Sequence, residues 1–200
     1  MIRVYKYGFY AFLVASFTLF NVWNISTNRF KNKEEKEHYK NEKRQESLLK
    51  SNIILRRKIP EIYGNEIITN KVFKIISKDS SYLVVLLSDF DCAKCQENEL
   101  KEVYAIKNKL KNYNINILCI TKKEKVNKTI VQMRKMNLNL VLYYTSDDEF
   151  AKLSFDIQYP QVELIIKGVI ASAFLPLAKD YEFSSIYYRE LVADLMAEHL

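Results

Sequence analysis

Cys92 and Cys95 stand two residues apart in "SDFDCAKCQENEL", residues 88–100, in a chain of 200 residues with only three cysteines. They follow the apolar run at 82–88 and precede a helical pattern from about 92 to 112, where Leu100, Val103, Ile106 and Leu110 share one face. A thiol pair at such a strand-to-helix junction has a definite chemistry. The first cysteine meets the unpaired N–H groups and positive dipole end of the helix, which lower a thiol pKa from about 8.5 towards 7. The second is close enough to displace whatever the first captures. Cys92 is therefore expected to attack and Cys95 to resolve. Lys94 favours a thiolate at Cys92, whereas Asp89 and Asp91 oppose it, and Asp91 also suits the helix N-cap. The balance predicts a moderately depressed pKa, as in a reducing pair rather than a strong oxidant.

Other readings of the pair lack partners. A structural zinc site wants four ligands, and beyond the pair the sequence offers only Cys119, His38 and His199. Cys119 lies inside an apolar strand, His38 in a charged stretch and His199 next to the last residue, so no metal is expected. Two inert cysteines in chance proximity remain a bland alternative.

The elements that must position the pair are legible around it. Residues 82–88 and 115–121 read as buried strands and 138–145 as a third, with helices at 124–137 and 148–155. Two strand-like runs, 161–166 and 169–174, flank Lys167-Gly168 as in a hairpin, and 180–200 reads as an amphipathic helix. Residues 70–77 fit a short amphipathic helix. Strands alternating with helices, then a hairpin and a last helix, predict an α/β sandwich around a mixed sheet.

The net charge of +7 is unevenly placed. Residues 1–58 carry 13 Lys+Arg against 5 Asp+Glu, and residues 59–200 carry 18 against 19. A nucleic-acid-binding domain should carry positive charge on its folded surface, so no nucleic-acid partner is expected. Residues 7–28 contain no charged residue or histidine, and a helix of that length spans about 33 Å against roughly 30 Å of hydrocarbon. Tyr7, Tyr10 and Trp23 lie near its ends, where amphipathic rings favour the interface. Residues 1–28 are expected to be a single-pass anchor through the lipid bilayer, residues 29–58 a charged helical stem and residues 59–200 the folded domain. A small-x-small cleavage site is not evident after Trp23, and with no cysteine before position 92 a lipid-modified cysteine is excluded. Seven Lys+Arg between Arg29 and Arg44 would hold the domain in the cytoplasm by the positive-inside count, although long domains often cross regardless.

With these features the sequence resembles the thioredoxin-like superfamily, in particular the membrane-anchored TlpA/ResA-type thiol–disulfide oxidoreductases. The resemblance covers roughly residues 81–200. It rests on the buried strand before "CAKC", the long helix after it, the strand "LNLVLYYT" and the segment "SDDEFAKLSFDIQYP". It implies a thioredoxin-like mixed sheet flanked by helices. It also implies that Pro160 is the family's cis-proline and that Tyr159 and Pro160 flank Cys92 and contact substrate. The departures are specific. "LSDFDC" replaces the family's aromatic-rich "FWxxWC", and Ala93-Lys94 lacks its proline. The family's glutamate position falls on Asn98, between Glu97 and Glu99, and residues 59–80 show no N-terminal hairpin signature. A peroxiredoxin-type peroxidase would want threonine where Asp89 stands.

The expected function is a membrane-tethered reductase of protein disulfides, needing no cofactor beyond its own redox-active disulfide. It would exchange with protein thiols and disulfides in its compartment and be recharged by a membrane electron donor. Such a pair needs disulfides to act on, which places the domain on the extracytoplasmic (periplasmic) side. A redox-inert thioredoxin-fold interaction module and a membrane-held redox sensor are the alternatives.

Overall fold

The computed structural model describes the backbone from Ile2 and the side chains from residue 17, apart from residues 68–70, 89–92 and 198–200. Along the chain come α1 (Ile2–Ile53), β1 (Ile62–Glu66), β2 (Val72–Ile76), β3 (Ser81–Leu87) and α2 (Ala93–Asn112). Next are β4 (Ile115–Lys122), a 3-10 turn (Lys123–Lys125), α3 (Val126–Lys135), β5 (Leu142–Thr145) and α4 (Asp147–Leu153). Finally β6 (Gln161–Ile166) and β7 (Val169–Phe174) lead into α5 (Tyr181–Ala197).

The strands form one sheet in the order β2-β1-β5-β4-β3-β6-β7. β4 runs parallel to β3 and β5, and the other pairings are antiparallel. β3 lies inside the sheet, and its unbroken apolar sequence follows from cover on both faces. Leu83, Val85 and Leu87 meet one core, with Leu100 and Val103 of α2, Met133 of α3 and Tyr188 and Leu191 of α5. Tyr82, Val84 and Leu86 meet the other, with Ile54, Ile59 and Phe150 and Leu153 of α4. Each fully buried Leu or Ile contributes about 2 kcal/mol.

Local chemistry sets the connections. Lys167 and Gly168 both have positive φ, 49° and 75°, as a two-residue hairpin turn with the right twist requires. Ser146 caps α4 by accepting from Glu149 N, with Asp147 and Asp148 in the first turn. α3 ends with Asn137 in the left-handed region, where Asn137 N donates to Arg134 O and Leu138 N to Met133 O. This Schellman closure takes in Leu138, expected to begin the third strand, and β5 starts only at Leu142.

Residues 70–77 require a correction. Val72–Ile76 is strand β2, paired antiparallel with β1, rather than an amphipathic helix. The apolar pairs at 72–73 and 75–76 satisfy either period, and pairing with β1 decides the outcome. The same hairpin occupies the region whose sequence showed no hairpin signature.

The chain forms two compact units, Met1–Lys43 and Arg44–Leu200. In the first, Phe17, Leu19, Phe20, Val22 and Trp23 are exposed on α1, and Lys43 lies over the Tyr39 ring. Among the described residues no helix is long and apolar enough to cross a membrane. Of the expected span at 7–28, the side chains up to residue 16 lie outside the described set.

In the second unit the last turns of α1 dock on the sheet domain. Arg44 donates to both carboxylate oxygens of Asp180, at 2.6 and 2.8 Å, and to Glu182 at 2.9 Å. Its guanidinium also covers the Phe183 ring. The buried Ser47 hydroxyl donates to Leu175 O at 2.6 Å. Residues 56–59 then bond to the backbone of Gly168 and Ile170, covering the outer edge of β7.

Candidate functional site

β3 delivers the chain to Ser88, which is buried, and α2 resumes at Ala93. Asp91 and Cys92 lie between, outside the described residues. Ala93 and Lys94 are exposed, while Cys95, in the first turn of α2, is 5% exposed and disulfide-bonded. Cys119 is different. It is a free thiol within β4, wholly buried, and burial pushes its pKa up to about 12. Among the described residues no cluster of His, Cys, Asp and Glu is fit to hold a metal ion.

The sheet brings the proline loop to this junction. In the β3–β6 ladder the last paired residues are Leu86 and Gln161, so Pro160, which precedes Gln161, adjoins the end of β3 that leads to Ser88. The Tyr159–Pro160 peptide is cis. Tyr159 is half-buried, with its hydroxyl 2.7 Å from Ser154 Oγ and its ring 5.6 Å from that of Phe150. The loop is held chiefly by one side chain. Gln161 is wholly buried; its Oε1 accepts from Phe155 N at 3.0 Å, and its Nε2 donates to Asp156 O and Gln158 O at 2.5 and 2.8 Å. Lys50 pairs with the Asp156 carboxylate at 3.1 Å. Beside the loop lies a cleft of about 500 Å³ floored by Ile54, Phe150 and Tyr159, with Arg57 and Lys122 among its walls.

Two more buried glutamines touch the junction. Gln132 of α3 donates through Nε2 to Ala93 O at 2.9 Å, and Gln96 of α2 reaches Ser88 O at a long 3.5 Å. Two carboxyls are buried nearby in the fold. Glu99 of α2 accepts from Ser184 Oγ at 2.5 Å and Tyr188 OH at 3.0 Å. Burial raises its pKa to about 7 against the opposing effect of these hydrogen bonds. Glu163 of β6 is raised to about 8, again by burial, with Arg57 Nη2 at 3.8 Å partly offsetting it.

Gln96, Glu99, Gln132, Gln161 and Glu163 escaped the sequence reading. For two of them a signal existed: extending the Leu100–Val103–Ile106 stripe back along α2 lands on Gln96 and Glu99, polar residues at core positions. For the others the burial comes from contacts made by distant elements.

No family model matches the sequence, and neither does any curated protein. Solved structures do resemble the fold. A structure described as the thiol:disulfide interchange protein DsbE from Chlorobium tepidum aligns with a TM-score of 0.57 at 11% identity, covering 70% of this chain and 97% of that one. The thioredoxin domain of a thiol-disulfide oxidoreductase from Bacteroides vulgatus gives 0.53 at 13%, covering 69% and 97%. StoA from Bacillus subtilis gives 0.50 at 13%, covering 68% and 97%. At such identities the likeness speaks for architecture alone, and by that measure the chain has a thioredoxin-like fold.

Proposed function

We propose that the chain is a membrane-tethered thiol–disulfide oxidoreductase of the TlpA/ResA type that reduces protein disulfides through Cys92 and Cys95. The observation that carries this reading is the disulfide-bonded Cys95 in the first turn of α2, at the strand end beside which the Tyr159–Pro160 loop lies. With three cysteines in the sequence and Cys119 free, Cys92 is the partner this reading gives to Cys95.

The chemistry balances as follows. The Cys92 thiolate attacks one sulfur of a substrate disulfide, and the other substrate sulfur leaves as a thiolate and takes up a proton. Cys95, losing its proton, then attacks the Cys92 sulfur of the mixed disulfide and releases the second substrate thiol. The substrate gains two electrons and two protons, and the Cys92–Cys95 disulfide is left for a membrane dithiol donor to reduce. In this scheme Lys94 and Asp91 tune the thiolate, and Tyr159 and Pro160 face the incoming polypeptide.

The tether is read from residues 7–28, supported by Phe17, Leu19, Phe20, Val22 and Trp23 of α1, which are exposed among the described residues. The domain is placed on the extracytoplasmic side, where disulfides persist.

Insulin-disulfide reduction tests the activity. The wild-type chain should turn over with a dithiol donor, and Cys92→Ser should abolish turnover. A wild-type chain without turnover would favour the redox-inert module or the sensor. Alkaline-phosphatase and fluorescent-protein fusions at the C-terminus test the side: phosphatase activity is expected, and fluorescence alone would refute the placement.

A further inference from the structure

Towards the end of β3 opposite the cysteine pair, the domain holds a second cavity, of about 390 Å³. It lies where β4 is only half paired. β5 joins β4 from Cys119 onward, so among the described residues 115–118 carry no strand on that side. The aliphatic side chains of Ile75, Ile117, Leu118, Leu140 and Val141 line the cavity, with the rings of Tyr82 and Tyr143. Part of this wall stays in water, since Val141 is 47% exposed and Ile117 and Tyr143 are half-buried. A volume between about 300 and 1,000 Å³ and a mostly apolar lining with a few polar groups are the marks of a small-molecule site.

The charged groups of the cavity all have one sign. Lys74, Lys107 and Lys111 line it, with no Asp or Glu among the described lining residues. The folded region around them is balanced, with 18 Lys+Arg against 19 Asp+Glu in residues 59–200. Lys74 is neutralised by Glu61 at 2.8 Å. The other two are not. Lys107 Nζ donates to Asn139 O at 2.7 Å and lies over the Tyr104 ring, and among the described residues neither Lys107 nor Lys111 forms an ion pair. They stand one turn apart on α2, a spacing at which like charges repel. The negative end of the helix dipole favours Lys111 in the last turn, but its effect has faded by Lys107.

We propose that this cavity binds an amphipathic anion of the fatty-acid class, independently of the thiol chemistry at the other end of β3. The aliphatic wall takes the acyl chain out of water, and the carboxylate accepts hydrogen bonds from the ammonium groups of Lys107 and Lys111. The bound anion also relieves the repulsion between the two lysines. A protein segment fits less well, because the recess runs beside only residues 115–118 of β4, shorter than the usual paired strand of about five or six residues.

The test is lysine footprinting of the full-length chain in detergent micelles, with octanoate as the probe. Each lysine is acetylated under limiting reagent and its rate read by mass spectrometry. Lys101 and Lys109, exposed on α2 but outside the cavity lining, serve as internal controls. Protection of Lys107 and Lys111 should saturate, their rates falling about threefold at an octanoate concentration twice its Kd, while the controls keep theirs. Acetate, which has the charge without the chain, and octanol, which has the chain without the charge, should leave all rates unchanged. Lys111→Glu reverses a charge at the cavity and Val141→Asp sets a carboxylate in its wall, both at exposed positions. In each variant octanoate should no longer protect Lys107. If Val141→Asp does not fold, Lys111→Glu decides by the same criterion. No saturable protection by octanoate, or equal protection by acetate or octanol, would overturn the inference. Protection by a polyglutamate peptide and not by octanoate would overturn it too, and would assign the cavity to a protein partner.

Discussion

Replacing Glu99 by Gln gives a stability effect whose sign and size both follow from the fold. Glu99 is 2% exposed and bound by Ser184 and Tyr188, and its pKa rises from 4.5 to about 7 because burial disfavours the carboxylate. In the unfolded chain the proton leaves near 4.5; in the folded chain it leaves near 7. Between these values the folded state holds the extra proton, so stability is full below pH 4.5 and falls as pH rises through about 7. The gap corresponds to about 3 kcal/mol. The carboxamide introduced by Glu99→Gln cannot titrate, yet its oxygen can still accept one of the two hydroxyls. Urea unfolding of the oxidised chain, followed by the near-ultraviolet circular dichroism of its tyrosines, should therefore give wild type and Glu99→Gln within about 1 kcal/mol of each other at pH 5. At pH 8 the variant should be the more stable by about 3 kcal/mol. Glu163 titrates with the same sign up to about 8 and steepens the wild-type curve, but it is common to both proteins and cancels in the difference. A difference that stays constant from pH 5 to 8 would refute the reasoning.

Two further substitutions probe the frame of the site. Gln161→Ala removes the hydrogen bonds that hold residues 154–158, so hydrogen exchange of the Phe155 amide should quicken at least about tenfold, with a stability loss of about 2 kcal/mol. Its rate of disulfide exchange should fall several-fold, and an unchanged rate would separate the loop from the chemistry. Arg44→Ala takes the bidentate guanidinium from Asp180, whose side chain is 8% exposed, and should lower the urea-derived stability by about 2 kcal/mol. A loss below about 0.5 kcal/mol would mean that the end of α1 docks through Ser47 and apolar contacts instead.

The sequence was most readable where one strong local signal met no competitor. β3 has no polar residue from Tyr82 to Leu87, and Lys167-Gly168 marks a turn between two apolar runs, so β3, β6 and β7 stood out. β2 was misread because "VFKII" fits both a helical and a strand period, and only its pairing with β1 selects the strand. The boundary of β5 moved because Leu138, read as the first residue of the strand, instead closes α3 together with Asn137. The cysteine spacing and the proline before β6 stood out in the chain, since residue type alone marks them. Gln132, Gln161 and Glu163 did not, because a polar residue on a helix or strand usually faces water. Their burial is created by elements that meet only in the fold, such as α3 against the start of α2.

The ionisation of Cys92 tests the central claim most directly. The fully reduced chain would be alkylated with iodoacetamide from pH 5 to 10, with each cysteine resolved by mass spectrometry. Cys92 should react first, with a midpoint below the ordinary thiol value of about 8.5, while Cys119 stays unmodified in its core. A Cys92 midpoint at or above about 9, or a thiol that does not react until the chain unfolds, would contradict a nucleophile at the head of α2.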